Sequence, residues 1–153
     1  MLRRLVAGLA AIVLVAEAAV LVLVHVVLGK TTENQAMSIA GSDPDVMSKA
    51  TYGLGAGMGA FLLLCAVFTA VAAIRDRSPG RFARVVLVGA AVTHAVLGIL
   101  TVVLVGWAAF ATMMLILCLL VLTLTLFDAG RPAVEDAKPG RPGDLGGLKP
   151  TSP

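Results

Sequence analysis

Four stretches of this chain are almost wholly apolar, and its polar residues are gathered between and after them. The apolar runs cover residues 5–28, 52–74, 83–105 and 108–127. Each supplies the roughly 20 apolar residues that a helix needs to cross about 30 Å of hydrocarbon. The pattern predicts an all-α polytopic membrane protein, a four-transmembrane-helix antiparallel bundle occupying residues 1–127.

The connections differ in character. Residues 29–51 are polar and turn-rich, with Ser42-Asp43-Pro44-Asp45 marking a turn or a helix start, so an extracytoplasmic loop is expected there. Arg75-Asp76-Arg77-Ser78-Pro79-Gly80-Arg81 is a compact basic loop, and Gly106-Trp107 leaves only a short link between the last two runs. From Asp128 the chain turns rich in Pro, Gly and charge with little to bury, which predicts a disordered cytoplasmic tail over residues 128–153.

The first run invites comparison with a signal peptide, because Ala16-Glu17-Ala18 mimics a small-residue cleavage site behind Arg3-Arg4. Apolar cores of signal peptides run about 7–15 residues. Here the run continues past Ala18 to Leu28, as a retained transmembrane helix would.

Composition agrees with lipid as the solvent. Hydrophobic residues make up 59% of the 153 and charged residues 14%, against about 45–50% and about 25% in soluble domains. The dominance of Ala, Val, Leu and Gly suggests a bacterial source of high GC content. Ten of the twelve basic residues would lie on one side of the membrane: Arg3, Arg4, Arg75, Arg77, Arg81, Arg84, Arg131, Lys138, Arg141 and Lys149. Lys30 and Lys49 fall on the other. The positive-inside rule then places both termini in the cytoplasm, at the cell (plasma) membrane. These residues are read as topology signals and not as a nucleic-acid footprint. Tyr52 and Trp107 would mark the outer interface.

Against this background Glu17 stands out. An ionisable side chain at mid-membrane depth costs roughly 2.5 kcal/mol or more and usually faces a protein interior or a water path. At about 1.5 Å of rise per residue, Glu17 lies roughly 20 Å beyond Arg4, and His94 roughly 15 Å beyond Arg84. The two could meet near the bilayer centre if the first and third helices approach each other. His25 lies roughly 32 Å beyond Arg4, near the outer interface. Glu17, His94 and His25 are therefore the candidate proton or substrate site. The alternative is a protonated Glu17 hydrogen-bonded to a neighbour, with His94 as a helix contact and His25 as a snorkelling polar residue. The heights of the two histidines differ by roughly 17 Å, which is too much for both to hold one haem iron in a simple bundle. No cofactor is expected.

The run Gly53-Leu54-Gly55-Ala56-Gly57-Met58-Gly59-Ala60 lacks the strand and the Lys-Ser/Thr of a phosphate loop. It reads as small-xxx-small helix packing through Gly53, Gly55, Gly57 and Gly59. Cys65 and Cys118 sit apart in apolar runs and are read as small hydrophobes. Nothing in the chain resembles a Ser-His-Asp set, a metal cluster or a paired-carboxylate site, so no enzyme is expected.

Two functions fit these residues. One is a non-enzymatic accessory or scaffold protein that meets a membrane-protein partner, or a second copy, through its glycine-rich helix. The other is a small proton-coupled transporter using Glu17 with His94. A four-helix chain with one membrane glutamate in its first helix resembles, in that respect, the small multidrug exporters. The longer outer loop, the added tail and the strong charge bias depart from their pattern.

Overall fold

The computed structural model describes residues 1–35, 41 and 43–129, and is all-helical over that span. Its elements are α1 (Leu2–Gln35), α2 (Pro44–Arg75), α3 (Arg81–Leu104) and α4 (Trp107–Asp128). All four are long and apolar enough to cross a membrane. Large apolar side chains such as Leu5, Ile12, Leu23, Ile74, Val85 and Val103 point outward from the bundle. That surface suits hydrocarbon and would be intolerable in water.

The helix ends differ from the apolar runs at one place above all. α1 continues as helix to Gln35 and α2 already begins at Pro44, so much of the expected 29–51 loop is helical. Hydropathy registers where lipid ends, whereas a helix continues for as long as its backbone bonds and side chains allow. Thr31 and Thr32 donate to the carbonyls of Val27 and Leu28, four residues back. Asp43 caps α2 by accepting from the Asp45 amide at 2.9 Å, with Pro44 in the first turn. The expected tail lies outside the described residues from 130 onward.

α1 and α2 run in opposite directions along one long seam. Ser48 donates to the Gly29 carbonyl near one end, and Arg3 pairs with Asp76 at the other. The inward stripe of α1 includes Ala7, Ala11, Leu14 and Ala18, spaced by three and four residues, with Gly29 buried farther along the same helix. Gly55 and Gly59 face it from α2. A Cβ at Gly55 would run into the His25 Cβ, and one at Gly59 would lie 2.5 Å from a Val22 methyl. α3 and α4 form a second opposed pair, tied by Arg84 to Asp128 at one end. Farther along, the Met114 methyl fits the notch at Gly98. Gly106 turns the chain between them at φ 117°, a conformation L side chains rarely adopt.

The two hairpins join as a ring, with α1 packed on α4 and α2 on α3, so α1 and α3 stand on a diagonal. At the arginine-rich end Ala7, Ala72 and Phe127 form a small core, and the Arg3 guanidinium lies 5.8 Å from the Phe127 ring centroid. Asp76 closes α2 in the left-handed conformation and accepts from Arg3 Nε and Nη2 at 2.6 and 2.8 Å. Tyr52 and Trp107 lie toward the opposite end, Tyr52 packed on Gly29 and Trp107 edge-on to Phe110.

Two outcomes are expected. Gly55→Leu should destabilise the α1–α2 seam by at least the roughly 1–3 kcal/mol of an overpacked core, seen as a lower unfolding midpoint in detergent. Gly57→Leu, with open space before it, should leave that midpoint in place. The Arg3 hydrogen bond, helped by its charge and that of Arg4, holds the Asp76 carboxyl below its usual range. Its contribution is complete above about pH 3.9 and fades as pH falls through the lower folded-state value. Asp76→Asn should therefore flatten the acid limb of the midpoint plotted against pH. An unchanged acid limb would contradict this role for the ion pair.

Candidate functional site

Glu17 and His94 meet across the diagonal. His94 Nε2 lies 3.1 Å from each carboxylate oxygen of Glu17. The other ring nitrogen, Nδ1, lies 2.7 Å from the Ala90 carbonyl of its own helix. A carbonyl can only accept, so Nδ1 carries a proton and donates it. That assignment turns Nε2 toward Glu17 and leaves one proton to be shared between them.

The shared proton has two homes. Either an imidazolium donates to a carboxylate, or a carboxylic acid donates to a neutral imidazole. The pair is neutral overall in both arrangements. Neutrality is what makes the site tolerable, because an uncompensated charge in a low-dielectric core costs several kcal/mol. Adding or removing a proton would leave a net charge among apolar neighbours. Those neighbours are the principal core, with Leu14 and Ala18 of α1, Ala90 and Ala91 of α3, and Ile116 and Leu120 of α4. The His94 side chain is 3% exposed and that of Glu17 13%.

Each partner is placed by its helix. His94 belongs to the stripe Leu87, Ala90, Ala91, His94 and Gly98 that α3 turns inward. Glu17 sits beside the buried Ala18 at the edge of the α1 stripe. Small buried residues at positions 18, 90 and 91 belong to the core beside the pair.

His25 does not join them. It stands eight residues along α1 from Glu17, roughly 12 Å of rise, and its Nδ1 bonds the Leu21 carbonyl at 2.8 Å. Its Cβ packs on Gly55. The four glycines divide as well. Gly55 and Gly59 receive α1, while ideal Cβ atoms at Gly53 and Gly57 would meet nothing within 4 Å. Cys65 is buried in the core and Cys118 is exposed. Among the described residues no three His, Cys, Asp or Glu side chains gather into a group able to hold a metal ion.

Other buried polar groups are satisfied locally. Thr69 donates to the carbonyls of Cys65 and Ala66, and Thr123 to that of Leu119. Among the described residues no buried side-chain nitrogen or oxygen lacks a hydrogen-bond partner, as an apolar solvent demands. The sequence carries a direct sign of the central pair in the matched depths of Glu17 and His94. It carries none for the two terminal ion pairs, because the choice of Asp76 for Arg3 depends on the packed register.

No protein-family model matches the chain, and no curated protein or solved structure matches it either.

Removing one member should cost more than replacing it by an isostere. Glu17→Ala leaves His94 Nε2 buried without a partner and should destabilise the bundle by roughly 1–3 kcal/mol. Glu17→Gln can still donate to Nε2 and should recover most of that loss. Unfolding in mixed micelles measures both. Equal losses for Ala and Gln would argue against the direct bond.

Proposed function

We propose that this chain is a small, non-enzymatic integral membrane protein of accessory or scaffold type. In this reading its four helices form an antiparallel bundle across a bacterial plasma membrane, with both termini in the cytoplasm. The charge bias supports that orientation, since the arginines of positions 3, 4, 75, 77, 81 and 84 precede or follow apolar spans on one side.

The observation that carries the reading is the unused half of the glycine run. Gly55 and Gly59 are consumed by α1, yet Gly53 and Gly57 have open space before them. With Ala56 and Ala60 they make one exposed face at i, i+3, i+4 and i+7. In hydrocarbon, small residues favour association because they let another backbone approach closely. A partner helix, from another membrane protein or a second copy, would seat there. The Glu17–His94 bond then serves as the clasp that keeps the two hairpins together.

A second reading is favoured by the same bond. A carboxylate that shares one proton with an imidazole across two hairpins is suited to proton-coupled transport, with Glu17 as the carrier. The two readings part on different variants. The accessory reading expects Gly57→Leu to abolish co-purification with a partner, or self-association, while Glu17→Gln leaves it intact. The transport reading expects Glu17→Gln to abolish proton-linked flux in protein that still inserts. Liposomes carrying the purified chain that neither move substrate nor dissipate a proton gradient would eliminate transport. A chain that stays monomeric and unaccompanied in mild detergent would eliminate the accessory role.

A further inference from the structure

The arginine-rich end of the bundle holds more positive charge than its described acids neutralise. Asp76 is committed to Arg3 through two hydrogen bonds, and Asp128 is committed to Arg84. Among the described residues, Arg75 and Arg77 have no carboxylate partner. Both are exposed.

These two arginines line a cleft of about 320 Å³ at the turn from α2 to α3. The same cleft is lined by Phe68, Val71 and Ala72 of α2 and by Ala83 of α3. It exists because α2 and α3 are the least closely packed of the four neighbouring helix pairs. The arrangement is amphiphilic along the helix axis. Apolar side chains lie toward the membrane-length body of α2, and two guanidiniums lie where the helix ends.

That sequence of surfaces selects an occupant. Guanidinium groups bind phosphate through paired N–H donors. A soluble anion would satisfy the arginines but would make no use of the apolar wall at Phe68 and Val71. A zwitterionic lipid carries its own cation into an already cationic rim. A phosphate diester with acyl chains and a net negative charge answers both surfaces, and basic pockets between membrane helices commonly hold such headgroups. We propose that this cleft is a binding site for an anionic phospholipid, with its phosphate on Arg75 and Arg77 and its first methylenes over Phe68 and Val71. The proposal rests on the helices crossing a bilayer, and it is independent of either the partner or the transport reading.

Thermal unfolding of the full chain in detergent tests it. Phosphatidylglycerol, phosphatidylcholine of the same acyl chains, and inorganic phosphate are added separately. At about a hundredfold excess over its Kd, phosphatidylglycerol should raise the midpoint by about 5–10 °C. Phosphatidylcholine and phosphate should not. Arg75→Gln with Arg77→Gln should lose the shift. Arg4→Gln with Arg81→Gln removes equal charge outside the cleft and should keep it. Ala83→Phe, which fills the apolar part and spares both arginines, should also lose it. An equal shift with phosphatidylcholine would overturn the proposal, as would a shift from phosphate alone. So would a shift lost in the Arg4/Arg81 control, or one retained in the Arg75/Arg77 variant.

Discussion

The bond between Glu17 and His94 is the constraint around which the bundle is arranged. It is formed on the diagonal between α1 and α3, which are not packed neighbours. A hydrogen bond of 3.1 Å therefore limits how far the hairpins can separate. Either side chain alone at that depth would be costly. Together they are neutral, and the Ala90 carbonyl accepts a hydrogen bond from the remaining imidazole N–H at Nδ1. Ala18, Ala90 and Ala91 are buried in the core next to them, so the pair sits among small apolar side chains.

Lipid changes what holds the rest together. Between two helices in hydrocarbon there is no water to expel, so association depends on close contact and on internally satisfied polar groups. The α1–α2 seam uses close contact, with Gly55 and Gly59 admitting His25 and Val22 to the backbone. The ends use polar groups instead. Arg3 and Arg84 reach acids at one end, and Ser48 reaches the Gly29 carbonyl toward the other. Those ends lie where water is within reach, so the ion pairs there stabilise modestly and mainly set register.

Much of this architecture was legible in the chain, for physical reasons that also explain the rest. Four helices could be read because hydrocarbon imposes both length and composition. The approach of Glu17 to His94 could be read from rise per residue, because both are counted from arginines at the same end of the bundle. The extent of helix at the opposite end of the bundle could not. Residues 29–35 and 44–51 are polar, and polar residues in water form helix or loop equally well until caps and packing decide. The division of the glycines was also hidden. Gly53 with Gly57 and Gly55 with Gly59 repeat at the same spacing, and only the rotation of α2 against α1 makes one pair internal.

The chemistry of the central pair also bears on how it could act. Its two proton arrangements differ only in where charge sits within 3.1 Å, and neither asks the helices to move. A structural clasp needs nothing more. Transport requires a third state in which the proton has left or a second has arrived, and that state carries a net charge in an apolar core. The charge becomes affordable only if water or a substrate ion reaches Glu17, whose side chain is the less enclosed of the two. Because the pair is the diagonal tie, such access would be coupled to separation of the hairpins. A ligand can drive that separation only by as much as it prefers the opened state. Any proton coupling in this protein is thus bound to the same bond that holds its two halves together.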